Sequence, residues 1–393
     1  MTRIVQKYGG TSVRDINCIR SVANRIKESY IKGNEMIVVV SARAGVTDRL
    51  ISDAKKLSTT PNNRELDVLL CIGEQETVAL LSIALDAIGV RATSRLAFQI
   101  GLQTCQSHGS ARIENIQGTN VEKLLAEKNV IIVAGFQGIS RNGDLTTLGR
   151  GGSDLTALAL AHRFQADRCE IFTDVNGVYT GDPKVIQNAK LIEEIDFESL
   201  LRLSFFDSKI MQDRSIAFAQ KNNIPFTISN TFENSPGTSV VEQTTQYESY
   251  VIGITSKTNL CLISCKSSGD IVSKVLMFFE GHDVAVSFIK HRHLDDHTFF
   301  DEISLDMLDF LNLKDEFSEI FRPYLQSLRR EENLSRIDMI GTNIQAYPKV
   351  SQIFDIIPQP DILRSEYGKH GLSFLIKSDR YKSLLNDVHD LIF

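Results

Sequence analysis

The stretch Thr146-Thr147-Leu148-Gly149-Arg150-Gly151-Gly152-Ser153-Asp154 gathers residue types that handle anions. Its glycines let a backbone come close to a ligand or adopt positive φ. Arg150 presents a planar fork that suits a carboxylate, and Asp154 can organise a metal or a lysine ammonium. Ser153 or Asp154 can cap the helical pattern over residues 155–160, and the N–H groups of a helix start favour negative charge. A second glycine-rich turn, Lys7-Tyr8-Gly9-Gly10-Thr11-Ser12, carries a lysine near the N-terminus. The chain contains neither G-x-x-x-x-G-K-[ST] nor G-x-G-x-x-G, so the P-loop and the dinucleotide fingerprint are both missing. Glycines beside Lys7, Arg150 and several aspartates suit instead a phosphate-bearing ligand accompanied by a divalent metal.

Strands and helices must position these turns. Residues 3–7 read as a short strand, and the spacing of Ile16, Ile19, Val22, Ile26 and Tyr30 predicts a helix over residues 15–32. Met36-Ile37-Val38-Val39-Val40 is the continuous β-branched run of a strand covered on both faces. It ends at Ser41-Ala42-Arg43-Ala44-Gly45-Val46-Thr47-Asp48, a turn with helix-start residues. Helical patterns follow to residue 57 and over residues 64–89, the latter interrupted at Gly73-Glu74; residues 130–134 and 170–173 are further buried strands. This alternation predicts an α/β domain with a mainly parallel sheet over residues 1–240. Ligands of such sheets sit beyond the carboxyl ends of the strands, where residues 7–12, 41–47, 135–138 and 173–177 fall.

Past Asn234-Ser235-Pro236-Gly237 the texture changes, and residues 243–248 suit a linker. Beyond it come expected strands at 251–255, 260–265 and 285–289, a helix at 271–280, and a charged helical stretch at 313–332. Residues 336–341, a helix at 349–356 and residues 372–376 follow. Two small βαβ-type modules are expected, at 250–325 and 330–393, the second degenerate. His291-Arg292-His293-Leu294-Asp295-Asp296-His297 matches no metal motif and is expected as a solvated loop, so no protein-held metal site is expected.

At 393 residues, two or three domains are the prior. Apolar content of 42% and charged content of 23% describe an ordinary globular chain. A formal net charge of −6 gives no reason to expect nucleic acid or an anionic membrane as partner, and neither is expected. No apolar run reaches the roughly 18 residues of a membrane helix, and the N-terminus reads as a strand rather than a signal peptide. The six cysteines lack CxxC or metal-like spacing, which predicts reduced thiols in a cytoplasmic protein.

Lys7-Tyr8-Gly9-Gly10-Thr11-Ser12-Val13 resembles the N-terminal signature of the aspartate kinases. The resemblance continues in order through Val40-Ser41-Ala42, Thr47-Asp48, Gly73-Glu74-Gln75, Ala134-Gly135-Phe136-Gln137-Gly138 and the stretch around Arg150. It ends with Thr173-Asp174-Val175-Asn176-Gly177-Val178-Tyr179-Thr180-Gly181-Asp182-Pro183-Lys184 and Ser208-Lys209-Ile210. It implies the amino-acid-kinase fold, C-terminal ACT modules that pair in a homodimer or higher oligomer, and transfer of the ATP γ-phosphoryl group, with Mg²⁺, to the β-carboxylate of L-aspartate. That reaction opens lysine, diaminopimelate, threonine and methionine biosynthesis.

The nucleophile is a carboxylate with a reference pKa of about 4, ionised at neutral pH and in need of no general base. The obstacle is two anions meeting, so catalysis consists of charge compensation and alignment. By resemblance, Lys7 bridges the transferring phosphoryl group, Gly9 and Gly10 offer N–H groups, and Asp154 holds Lys7. Arg150 is the natural clamp for the α-carboxylate of aspartate and Glu74 the partner of its ammonium, with Ser41, Thr47 and Ser153 supplying shorter hydrogen bonds. Tyr8, Thr173, Asp174, Tyr179, Lys184 and Lys209 match positions around ATP, and Asp174 is expected to help with Mg²⁺ or the nucleotide. The Glu74 and Arg150 pair specifies an α-amino acid but not its length, so another carboxylate acceptor stays open. A catalytically idle ACT-type amino-acid sensor is the remaining alternative.

Two departures stand out. Asp207 replaces a family glycine before Lys209 and adds negative charge toward the nucleotide. In the C-terminal half, Ser267-Ser268-Gly269-Asp270-Ile271, Gly281-His282-Asp283-Val284, Ala346-Tyr347-Pro348-Lys349-Val350 and Pro358-Gln359-Pro360-Asp361 replace the usual effector-holding turns. Weak or no inhibition by lysine or threonine is expected.

Overall fold

A computed structural model of the chain describes residues 1–206, 210–244, 250–282, 284–295 and 297–393, with the side chain of Phe288 excepted. The chain forms two compact units, Met1–Tyr179 with Leu191–Glu248, and Thr180–Lys190 with Ser249–Phe393.

In the first unit, β1 (Arg3–Tyr8), α1 (Ile16–Tyr30), β2 (Glu35–Val40), α2 (Val46–Leu57), α3 (Asn63–Leu70), α4 (Ile72–Ala87) and β3 (Ala92–Arg95) come first. β4 (Leu102–Thr104), β5 (Ile113–Ile116), α5 (Val121–Ala126), β6 (Val130–Ala134), β7 (Gln137–Ser140) and β8 (Leu145–Thr147) follow. α6 (Gly152–Arg163), β9 (Arg168–Thr173), β10 (Glu194–Asp196), α7 (Phe197–Phe205), α8 (Asp213–Lys221), β11 (Phe226–Asn230) and β12 (Thr238–Val241) complete it. Among the described residues the main sheet has the order β10-β12-β11-β9-β1-β2-β6-β3, with parallel pairing throughout except between β11 and β12. This is the parallel-rich α/β sheet that the alternating strand and helix patterns predict.

One face of the sheet is sealed by the apolar stripe of α1 (Ile19, Val22, Ala23, Ile26) and that of α4 (Val78, Leu81, Leu85), packed on Ile4, Tyr8, Val38, Val40 and Ile132. The α1 stripe is the one its sequence spacing announces, and Asp15 starts the helix by accepting the Cys18 N–H at 2.9 Å. α6 packs on β1 and β9. Residues 63–87 are long and apolar enough to cross a bilayer, but this rod, which runs on from α3 into α4 through Cys71, buries Asp67 and Glu74 along with apolar residues.

The second unit comprises β13 (Val251–Ser267), α9 (Val272–Gly281), β14 (Val286–Asp295), β15 (Thr298–Asp306), α10 (Met307–Phe321), β16 (Leu325–Gly341), α11 (Val350–Ile356), β17 (Ile362–Tyr367), β18 (Gly371–Lys377) and α12 (Tyr381–Ile392). Its strands join in one sheet, β14-β15-β13-β16-β18-β17. Here the structure departs from the sequence reading in three ways. The two strands expected at 251–255 and 260–265 are one long strand with an irregularity between Lys257 and Leu260. Residues 325–332, read as helix, are the exposed first half of β16, because pairing with β13 overrides their helical propensity. His291 and His293 lie in β14 rather than a loop, with His291 Nδ1 2.5 Å from Asp301 Oδ1; no metal-binding cluster exists among the described residues.

The modules also interleave. Val251 and Ile254 pack with Ile337, Met339, Phe374 and Leu384, whereas Cys261 and Ile263 further along β13 pack with Phe279, Ile303 and Phe317. The residues expected to open the first module thus belong to the core of the second. Ile186, from the excursion between Tyr179 and Leu191, is buried in that same core. The excursion is tied down by Gln187 N–H to Asn386 Oδ1 (3.0 Å), Asn386 Nδ2–H to Val185 O (3.1 Å), and Thr180 Oγ1 with His389 Nε2 (2.9 Å). Of the expected linker, residues 245–248 lie outside the described residues, as do Asp283 and Asp296.

Candidate active site

Alternation along β1 sends Lys7 toward α6 and Tyr8 into the α1/α4 layer. Lys7, 8% exposed, places Nζ 2.6 Å from Asp154 Oδ1 in the first turn of α6. The resemblance puts Tyr8 beside the nucleotide, but its ring is fully buried, stacks on Phe172 at 4.9 Å and donates its hydroxyl to Gln6 Oε1 at 3.0 Å. Its side chain is core. The Gly9 N–H, expected to be on offer to phosphate, donates to Phe172 O at 3.2 Å, because the chain still runs alongside β9 there.

Gly151, at φ +69°, turns the chain into α6 in the left-handed region that glycine tolerates, and a Cβ there would meet the Gln212 side chain at 2.4 Å. That turn sets Ser153, 7% exposed, and Asp154 on the buried first turn. Arg150 just before it is exposed and makes no ion pair with a described residue. Ser41 follows β2 and donates its N–H to Tyr8 O at 3.1 Å; Thr47 is half-buried in the first turn of α2. Lys7, Ser41, Gly135, Ser153 and Asp154 therefore converge at the carboxyl ends of β1, β2 and β6.

Glu74 joins them from α4. Its Oε1 accepts the Ala42 N–H at 2.9 Å, while the buried Oε2 has no partner. Burial pushes its carboxyl up to about 7, partly opposed by the hydrogen bond from Ala42. The approach depends on Gly73: a Cβ there would stand 2.6 Å from Ala42 Cβ. A buried carboxyl with one open oxygen beside a strand end is chemically suited to a cationic partner such as an ammonium.

At the end of β9, Thr173 Oγ1 donates to Asp174 Oδ1 at 3.1 Å, and Asp174 is exposed. Tyr179 is half-buried and bridged to Leu191. Lys184 belongs to the excursion that clusters with the second unit; it is exposed, and its N–H donates to Asp182 Oδ1 at 2.9 Å. Lys209, with Asp207 and Ser208, lies outside the described residues.

Sequence reasoning missed the residues that brace this end. Thr231 Oγ1 contacts Ser12 Oγ at 2.6 Å and donates to Thr173 O at 3.0 Å, and Asn230 Nδ2–H donates to Asp174 O at 3.4 Å. A polar pair at a strand end carries no distinguishing spacing. Phe136, a non-glycine at φ +68°, was also silent in the sequence, and its strain of about 1–3 kcal/mol sits in the turn beside Gly135.

A parallel-rich sheet whose strand ends gather a lysine–carboxylate pair and an open buried carboxylate suits a phosphotransferase that acts on a carboxylate or an amino acid. Residues 2–230 match the amino acid kinase family. An aspartokinase of Geobacillus stearothermophilus is 34% identical over 98% of this chain and 96% of its own. An aspartate kinase of Pseudomonas putida is 40% identical over 76% of this chain and 74% of its own. The solved aspartokinase III of E. coli, in complex with lysine and aspartate, shares the fold with a TM-score of 0.80 at 23% identity, over 99% of both chains. The chain belongs to the amino acid kinase family, in its aspartokinase branch.

Proposed function

We propose that the chain transfers the γ-phosphoryl group of Mg·ATP to the β-carboxylate of L-aspartate, giving ADP and 4-phospho-L-aspartate. The open Oε2 of buried Glu74, held at the end of β2 next to the strand that carries Lys7, carries the reading. Glu74 receives the substrate ammonium and exposed Arg150 the α-carboxylate, with Ser41, Thr47 and Ser153 lining the grip. This leaves the β-carboxylate to face Lys7. Lys7 offsets the charge of the transferring group, and Asp154 fixes the lysine in line. Proton abstraction has no place in the scheme, since the acceptor is already an anion.

Thr173, Asp174 and Tyr179 serve the nucleotide, with Lys184 and Lys209 assigned to it by position in the motif; with the Gly9 N–H held by Phe172 O, the backbone contribution falls to Gly10. Mg²⁺ commonly binds through one or two carboxylates plus the substrate phosphates, and exposed Asp174 at the end of β9 fits that modest role. When bound, the ion neutralises phosphate charge. The second unit acts as the regulatory half, built of two interleaved ACT-like modules. Among the described residues its sheet ends in β14 and β17, edge strands that can pair with a second copy, which supports a homo-oligomer. The six free cysteines suit a reducing cytoplasm.

Hydroxylamine trapping of the acyl phosphate, with aspartate and glutamate compared as acceptors, tests the reading. Hydroxamate from aspartate alone is expected. Hydroxamate from glutamate in preference would reassign the acceptor, and none from either would leave an amino-acid sensor.

A further inference from the structure

Asp67 on α3 belongs to none of the motifs that point to the site, yet it is 1% exposed and its carboxylate is fully engaged. Oδ2 lies 2.7 Å from His108 Nδ1, both oxygens accept the Gly109 N–H at 3.1 Å, and Oδ1 accepts the Thr147 hydroxyl at 2.6 Å. These donors come from two different segments. His108 and Gly109 lie in the connection between β4 and β5; Thr147 ends β8, three residues before Arg150.

The two segments are also laced to each other. The Ala111 N–H donates to Thr147 O at 2.8 Å, and Arg214 on α8 spans them by donating to Leu148 O at 2.9 Å and to Ala111 O at 3.0 Å. Gly109 O approaches the backbone so closely that a Cβ at Gly149 would stand 3.1 Å away. On its other side, Asp67 is two helical turns before Glu74, and α3 continues into α4 through Cys71, whose carbonyl accepts Gln137 Nε2–H at 3.1 Å. One buried anion thus connects the rod that carries Glu74 to the strand end that carries Arg150. A carboxylate out of water needs its donors, so the three partners cannot drift without exposing it to an unpaired state.

We propose that Asp67 is a positioning residue for the amino-acid substrate: it fixes the separation between Arg150 and Glu74 so that the two ends of aspartate are gripped together. This rests on the assignment of Arg150 and Glu74 to the substrate. Among the described residues, neither Asp67 nor its partners are hydrogen-bonded to Thr173, Asp174, Tyr179 or Lys184, so its effect falls on the amino-acid substrate.

The test is steady-state kinetics with aspartate and Mg·ATP varied separately, for Asp67→Asn, Thr147→Val and, as reference, Arg150→Ala, each checked for an intact melting transition. Asp67→Asn is expected to raise KM for aspartate about tenfold or more while KM for Mg·ATP stays within about twofold, and to narrow the preference for aspartate over glutamate. Thr147→Val, which removes a single donor, should move KM for aspartate in the same direction by less and be non-additive with Asp67→Asn. If Arg150→Ala raises KM for aspartate but both other variants leave it unchanged, or if they raise both KM values equally, the positioning role is overturned. If Arg150→Ala itself leaves KM for aspartate unchanged, the substrate assignment fails first and takes the proposal with it. Should Asp67→Asn not fold, Thr147→Val alone decides.

Discussion

Lys7 Nζ sits 2.6 Å from Asp154 Oδ1, joining the carboxyl end of β1 to the first turn of α6 with both side chains almost withdrawn from water. A lysine on a strand end is free to wander through its rotamers. Pairing with a helix-borne carboxylate removes that freedom before any substrate arrives, which is the preorganisation that electrostatic catalysis needs.

Asp154→Asn keeps the shape of the side chain and removes its charge. The expected result is a fall in kcat of about 10²–10³-fold, with nucleotide affinity, measured by titration calorimetry, largely retained. Turnover at the native rate in this variant would refute the role of the pair.

Glu74 makes aspartate binding pH-dependent. Its carboxyl is pushed up to about 7 by burial, and only the ionised form pairs with an ammonium. KM for aspartate should therefore rise as pH falls below about 7, and Glu74→Gln should show a raised KM with that dependence removed. The sign for stability is opposite. The unfolded value of 4.5 lies below the folded one, so the substrate-free protein binds the proton more tightly when folded. Stability contributed by this group is present at acid pH and declines as pH rises from about 4.5 to about 7, by on the order of 3 kcal/mol. Denaturant unfolding of the two proteins across that window measures it; parallel curves for wild type and Glu74→Gln would contradict the assignment.

Ile186 ties the 180–190 excursion into the second unit. It is 1% exposed among Val251, Ile254, Ile337 and Leu385, so Ile186→Ala should cost about 2–5 kcal/mol in that unit. Hydrogen exchange should show the loss as reduced protection in α12 and the second half of β16, with the main sheet of the first unit unaffected. Uniform loss across both units would show that the excursion does not act as a local anchor.

Lysine or threonine, added to the hydroxamate assay, should inhibit weakly or not at all. At the start of α9 the Val272 N–H already donates to Asp270 Oδ1 at 3.2 Å, and the Asp270 carboxylate places a negative charge where an effector's own carboxylate would seek a helix terminus. Strong inhibition at sub-millimolar effector would show that the altered turns still bind.

The first unit was legible because its signals are local. Continuous β-branched runs such as residues 36–40, and the helical stripe of α1, fix strand and helix without knowledge of partners, and the glycine turns mark the strand ends. The second unit was less so. Residues 325–332 carry a helical composition, and only the presence of β13 alongside makes them a strand. The interleaving of the two modules likewise depends on which half of β13 meets which core.

The residue types of the site, Lys7, Glu74, Arg150, Ser153 and Asp154, and their placement on strand ends and helix starts were determined by sequence. Tertiary structure alone decided their states. Strand alternation hid Tyr8 in the core while presenting Lys7, the close pass of β9 took the Gly9 N–H, and burial against Ala42 left Glu74 with one open oxygen. Asp67 shows the same division. In the sequence it is one acidic residue on an amphipathic helix, and it becomes a clamp because folding brings His108, Gly109 and Thr147, donors distant along the chain, within hydrogen-bond reach of a carboxylate that has lost its water.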